Sequence, residues 1–146
     1  MSKYHEPVMV KEVLESLHLN TSSRIIDCTL GTGGHTEAIL KAGGTVLGIE
    51  ADPKMLGIAK ERIKSEKAKL VLGNFDNLEQ IARVNHFTEV DGILFDLGVS
   101  NLHLKSDERG FSFESPDQDL DMRLNPEAQG VKASDLLNVL DQTQLT

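Results

Sequence analysis

The chain has 146 residues, with 15 Lys or Arg against 23 Asp or Glu, a net charge of −8, and 39% hydrophobic residues. That suffices for one domain with a real core, or for part of a larger one, and it excludes disorder of the whole chain. No apolar run approaches the ~18 residues of a membrane span, so no membrane partner is expected.

The opening segment, MSKYHEPVMVKEVLESL, has no apolar signal-peptide core, which disfavours secretion. Pro7 suits a first helical turn, and Val8, Val10, Val13, Leu14 and Leu17 follow a helical stripe. Residues 24–28 (RIIDC) read as a short strand. Residues 35–42 read as a helix stopped by Gly43 and Gly44. A second strand spans 45–50 (TVLGIE), and Pro53 starts a helix with Met55, Leu56, Ile58, Ala59 and Ile63 at its apolar positions. A third strand spans 69–72, a helix lies near 78–84, and a fourth strand spans 90–96. Strands alternating with helices imply a parallel sheet with helical crossovers. Residues 97–146 differ: four Lys or Arg face nine Asp or Glu, a net of −5, whereas the first 96 residues carry −3. Residues 105–130 read as loop with a short aromatic insert, and a last helix is expected over 133–140.

The acidic balance argues against a nucleic-acid coat protein, which needs Lys and Arg to neutralise phosphates. It leaves room for an enzyme acting on one site of a large RNA. The single cysteine, Cys28, excludes an internal disulfide and fits a reducing cytoplasm.

The strongest local feature is DCTLGTGGH at 27–35, which follows a strand and opens a helix. Its glycines allow a tight turn and close approach of a ligand to the backbone. The dinucleotide pattern G-x-G-x-x-G fails because Thr36 stands at its last glycine, and no P-loop Lys is present. Glu50 ends the second strand, 19 residues after Gly31, where doubly wound folds place an acid that accepts hydrogen bonds from ribose hydroxyls. Together these favour an adenosine-containing cofactor without a cradled pyrophosphate, and S-adenosylmethionine fits better than NAD. Asp96 ends the fourth strand, so Asp27, Glu50 and Asp96 are expected at the carboxyl edge, where open α/β sheets bind ligands. Phe75 follows the third strand and could face an adenine ring or sit in the core.

With these residues in place, the chain resembles the N-terminal half of the bacterial small-subunit ribosomal RNA (cytosine-N4)-methyltransferase family. The matching segments are HEPVMVKEVL at 5–14, DCTLGTGGHT at 27–36, GIEADP at 48–53, DGILFDLGVSN at 91–101, ERGFSF at 108–113 and LDMRLNP at 120–126. They occur in the family's order and spacing. The resemblance implies methyl transfer from S-adenosylmethionine to the N4 amine of a cytidine in the decoding region of small-subunit rRNA, in the cytoplasm. Carried over by position, Gly33, Gly34 and His35 form the cofactor loop, Glu50 holds the ribose, and Phe75, Asp96 and His103 complete the cofactor site. Glu50 stands where the family usually has Asp, His103 where it has Gln, Asn101 where it has Ser, and Asp119 where it has Pro.

The family is roughly twice as long as this chain. The resemblance therefore implies an α/β fold, a partial class I (Rossmann-like) methyltransferase sheet in strand order 3-2-1-4, followed by the start of a helical insertion. Residues 1–104 would form the partial methyltransferase domain with its cofactor site, and 105–146 the beginning of the substrate-recognition insertion. Ile93, Leu94 and Phe95 suit a strand buried on both faces. With no further strand beside it, that strand would leave an edge open to self-association. A truncated, inactive fragment that binds cofactor weakly, or needs its missing half to fold, is the alternative. A nucleotide-dependent oxidoreductase on the same type of sheet is a third reading.

Asp96 is the best-placed acceptor for a hydrogen bond from a cytosine amine and is the candidate catalytic residue. Leu97 and Gly98 follow it, unlike the paired prolines of DNA amino-methyltransferases. Cys28 follows Asp27 rather than proline and reads as a buried small apolar residue, not a C5-attacking nucleophile. The five histidines lack metal-ligand spacing. Asp117, Asp119 and Asp121 open like a calcium loop, but Met122 stands where glycine is required. Arg109 and Arg123 could contact RNA phosphate or brace the loop with local acids. Phe111 and Phe113 could stack on a base or plug the insertion onto the sheet.

Overall fold

The computed structural model describes residues 7–104, 109–113 and 117–145, which fall into two compact units divided between Gly98 and Val99.

The first unit is a parallel sheet of β1 (Arg24–Asp27), β2 (Thr45–Glu50), β3 (Ala68–Leu72) and β4 (Gly92–Leu94), in the expected order β3-β2-β1-β4. Helices α1 (Val10–Ser16), α2 (Gly34–Lys41), α3 (Pro53–Arg62) and α4 (Leu78–Val84) alternate with the strands. The two central strands are apolar at consecutive positions because both faces are covered. On one face Ile26, Cys28, Leu47 and Ile49 pack with Ala82 and Phe87. On the other, Ile25, Ile39 and Val46 pack with Leu14 and Leu17, and Leu30, Leu56, Ala59 and Ile63 form a neighbouring cluster. Full burial of each Ile, Leu or Val among these contributes roughly 1.5–3 kcal/mol. Helix α3 starts where its sequence says it should. Pro53 has a fixed φ and no N–H to satisfy, and the Asp52 carboxylate accepts the Lys54 amide at 2.8 Å.

The outer strand departs from expectation. β4 spans three residues rather than 90–96, and among the described residues it pairs only with β1. Ile93 is 44% exposed and Phe95 46%, so they are not buried on both faces. A strand at the sheet edge has neighbours on one side only, and its side chains lose the cover that a further strand would bring.

The second unit contains α5 (Asn101–Leu104), α6 (Ala133–Val139) and α7 (Gln142–Leu145). The expected last helix is α6; α5 and α7 are single turns, too short to leave a periodic signal. Polar contacts hold the loop before α6. Arg109 is buried and donates to the Leu124 carbonyl. Arg123 pairs with Asp121 at 2.7 Å and donates to the carbonyls of Pro126 and Gln129. Both arginines therefore brace the loop. The Asp135 carboxylate accepts the Lys132 amide at the start of α6. Phe111 stacks on His103, with ring centres 5.4 Å apart, while Phe113 is fully exposed and plugs nothing.

Candidate active site

β1 and β2 end in Asp27 and Glu50, and the segments after all four strands meet at the carboxyl edge of the sheet. The three acids expected there have different surroundings. Asp27 is buried; it accepts the Thr36 hydroxyl at 2.7 Å and the Thr29 amide at 3.2 Å. Burial pushes its carboxyl above the usual Asp range. The Thr36 hydroxyl, the Thr29 amide and His35 oppose that push, and the Asp96 charge adds to it. Glu50 is buried too. One oxygen accepts the Gly31 amide at 2.7 Å and the other the Asp52 amide at 2.8 Å. Asp96 stands apart: its amide donates to the Thr29 hydroxyl at 2.7 Å, while its side chain is 43% exposed.

The glycines of the turn have separate reasons. Gly31 lies at φ +55, with only the Thr29 carbonyl, at 3.8 Å, near the place a Cβ would occupy. Gly33 caps α2 at φ +83, and a Cβ there would stand 2.5 Å from Ile63 Cδ1. At Gly34 a Cβ would stand 2.7 Å from Pro7 Cγ. Two of the three are thus required by packing against α3 and Pro7, where the sequence pattern suggested ligand approach alone. His35, in the first turn of α2, is buried. Its Nε2 lies 3.4 Å from Asp96 Oδ2, and its buried Nδ1 has no hydrogen-bond partner.

Phe75 begins a 3-10 turn, Phe75–Asn77, after β3. It is 41% exposed, so it is not a core residue. It meets Phe95 edge to face, with centroids 5.5 Å apart. The edge thus gathers Gly33, Gly34, His35, Glu50, Phe75 and Asp96 within the first unit. His103 lies in the second unit, buried, its Nδ1 accepting the Ser100 amide at 3.2 Å. Sequence reasoning missed Thr29, Thr36 and Phe95. The two threonines stand two and nine positions after Asp27, and the first is at Asx-turn spacing, a usable signal. Phe95 immediately precedes Asp96, but only the fold brings it to Phe75.

Burial, and then the charge of Asp27, push the Cys28 thiol up to about 11. It is not a thiolate near neutral pH and packs as a small apolar group. A groove of about 340 Å³ between α2 and α3 is lined by Glu37, Lys41 and Arg62. Those charges pair with one another, Arg62 with Glu37 at 2.6 Å and Lys41 with Glu37 at 2.9 Å. Among the described residues no group of three His, Cys, Asp or Glu could hold a metal ion. No helix among them is long and apolar enough to cross a membrane.

Residues 2–146 match the MraW methylase family. A protein of Dehalococcoides mccartyi named ribosomal RNA small subunit methyltransferase H is 45% identical over 97% of this chain and 42% of its own length. One of the same name from Dictyoglomus thermophilum is 39% identical over 97% of this chain and 49% of its own length. The chain therefore spans about half the length of the curated relatives it matches. Among solved structures, an rRNA methylase from Streptococcus thermophilus shares the fold with a TM-score of 0.53, at 19% identity over 97% of this chain and 84% of that one.

Proposed function

The chain belongs to the MraW methylase family, and from that premise we propose that it transfers a methyl group from S-adenosylmethionine to the N4 amine of a cytidine in the decoding region of small-subunit ribosomal RNA. The family match over residues 2–146 carries this reading. The names of relatives at 39% and 45% identity support small-subunit rRNA as substrate, and hence work in the cytoplasm, where ribosomes are assembled.

The carboxyl edge suits the cofactor. Open backbone at Gly31, a buried Nδ1 on His35 without a partner, and two half-exposed aromatic rings are features a ligand with polar groups and an adenine would satisfy. Gly33, Gly34 and His35 would line it, Glu50 would accept from the ribose, and Phe75 would face the adenine. Glu50 already accepts two amides, but each carboxylate oxygen can accept more than one hydrogen bond. By the family resemblance His103 is also a cofactor residue; 1–104 would form the methyltransferase part and 105–146 the beginning of the substrate-recognition insertion. When bound, the cofactor supplies an electrophilic methyl carbon on a sulfonium sulfur that leaves with its bonding electrons. A cytosine amine is a weak nucleophile because its lone pair is delocalised into the ring. Asp96 would accept a hydrogen bond from that amine, align it, and take its surplus proton, and most of the gain would come from orientation.

A thermal melt with and without S-adenosylmethionine tests the reading first. A ligand at a hundred times its Kd adds ~2.7 kcal/mol to a competent folded site. Methyl transfer to unmodified small ribosomal subunits tests it fully, with Asp96→Asn abolishing most turnover while the melt is kept. No shift and no transfer would overturn it and favour the alternative, a chain that binds cofactor weakly or not at all and does not transfer methyl groups. Among the described residues one side of β4 has no partner strand, and Ile93 and Phe95 are exposed, which supports self-association; a monodisperse monomer in sedimentation would count against it.

A further inference from the structure

We propose that His35 is the positioning residue for Asp96, its buried imidazole holding one carboxylate oxygen through Nε2 so that the other faces the acceptor amine. This rests on the methyl-transfer reading above.

Among the three edge acids, Asp27 and Glu50 have their oxygens engaged by the Thr36 hydroxyl and by backbone amides of the fold. Asp96 is tied through its backbone amide to the Thr29 hydroxyl, and its half-exposed carboxylate lies beside the His35 imidazole. Left alone, such a side chain samples several rotamers, and a hydrogen bond to a substrate amine must first fix one. His35 is the rigid neighbour that can fix it. Its side chain is 7% exposed, and it sits in the first turn of α2 behind a left-handed Gly33. Gly34 lets Pro7 close over that turn. The Nε2 to Oδ2 separation is 3.4 Å, close enough that a small rotation of Asp96 makes a hydrogen bond. An apolar residue would fill the same space without leaving a buried ring nitrogen unpaired, which is a cost of folding that needs a compensating use.

The test has two readouts on the full chain. In ¹⁵N NMR, His35 should appear as the Nε2–H tautomer, and Asp96→Asn should shift its Nε2 resonance while other histidines stay put. A His35 ring unaffected by Asp96→Asn overturns the pairing, whether or not the chain turns over. In methyl transfer to small ribosomal subunits at saturating cofactor, His35→Leu should lower kcat by on the order of tenfold to a hundredfold, over and above any change in cofactor Kd. His35→Gln, which returns an N–H donor near the Nε2 position, should recover most of that loss. His35→Leu added to Asp96→Asn should cost nothing further. Wild-type turnover in His35→Leu, no recovery in His35→Gln, or additive losses in the double variant would each overturn the proposal. A wild-type chain with the NMR pairing but no methyl transfer would instead overturn the functional reading on which it rests.

Discussion

The two units are built on different physics. Residues 7–98 bury consecutive aliphatic side chains on both faces of a sheet, and Ile25, Val46, Leu47 and Ile49 have no solvent exposure. In the second unit Val131, Leu136, Leu137 and Val139 are all exposed, and order comes from Arg109, Arg123 and Lys132 binding carbonyls and carboxylates. A packed core is insensitive to pH and salt but intolerant of lost volume. Polar lacing tolerates changes in shape and fails when charges change. The difference between the units is therefore one of vulnerability.

Four perturbations would break or sharpen it. The largest effect is expected from Leu47→Ala, which should destabilise the first unit by about 2–5 kcal/mol in denaturant unfolding. A loss below ~1 kcal/mol would mean the sheet is not the source of stability. Next, Gly33→Ala should cost roughly 1–3 kcal/mol, since it combines a left-handed φ with a Cβ driven into Ile63. Third, acid should separate the units. Arg123 holds the Asp121 carboxyl down at about 2, below its unfolded value, so that contribution is present above the ordinary Asp range and lost as pH falls toward 2. Asp119, held down by Lys132, has the same sign. Asp27 has the opposite one: burial raises its carboxyl, so acidification favours the folded first unit. Between pH 4 and 2, amide exchange should rise in residues 109–135 before it rises in the sheet, and simultaneous loss would refute the contrast. The smallest effect is expected from Val139→Lys, within ~0.5 kcal/mol because the side chain is 80% exposed.

The legible parts of the fold were those written in local pattern. Apolar runs at 24–28 and 45–50 announce central strands, Pro53 announces a helix start, and the strand order followed from the family resemblance. The true extent of β4 was not legible, because Ile93, Leu94 and Phe95 look the same whether a further strand covers them or not. At the candidate site, position along the chain sufficed to bring Asp27, Glu50 and Asp96 to one edge. It could not separate their surroundings, because the groups that bind Asp27 and Glu50 are mostly backbone amides, which any residue supplies. The meetings of Phe75 with Phe95 and of His35 with Asp96 join residues 20 and 61 positions apart, and such pairs emerge only from the crossovers.

Glu50 ends a strand, yet its two oxygens grip the loop after β1 and the turn that opens α3. The two crossover segments are thereby yoked to one side chain, and a displacement of either is felt by the other. A Glu50→Gln chain, with one oxygen replaced by a donor, would have to release one of the two amides. Anything seated on the glycine turn would then ride on a platform that had lost one of the ties between these two crossovers.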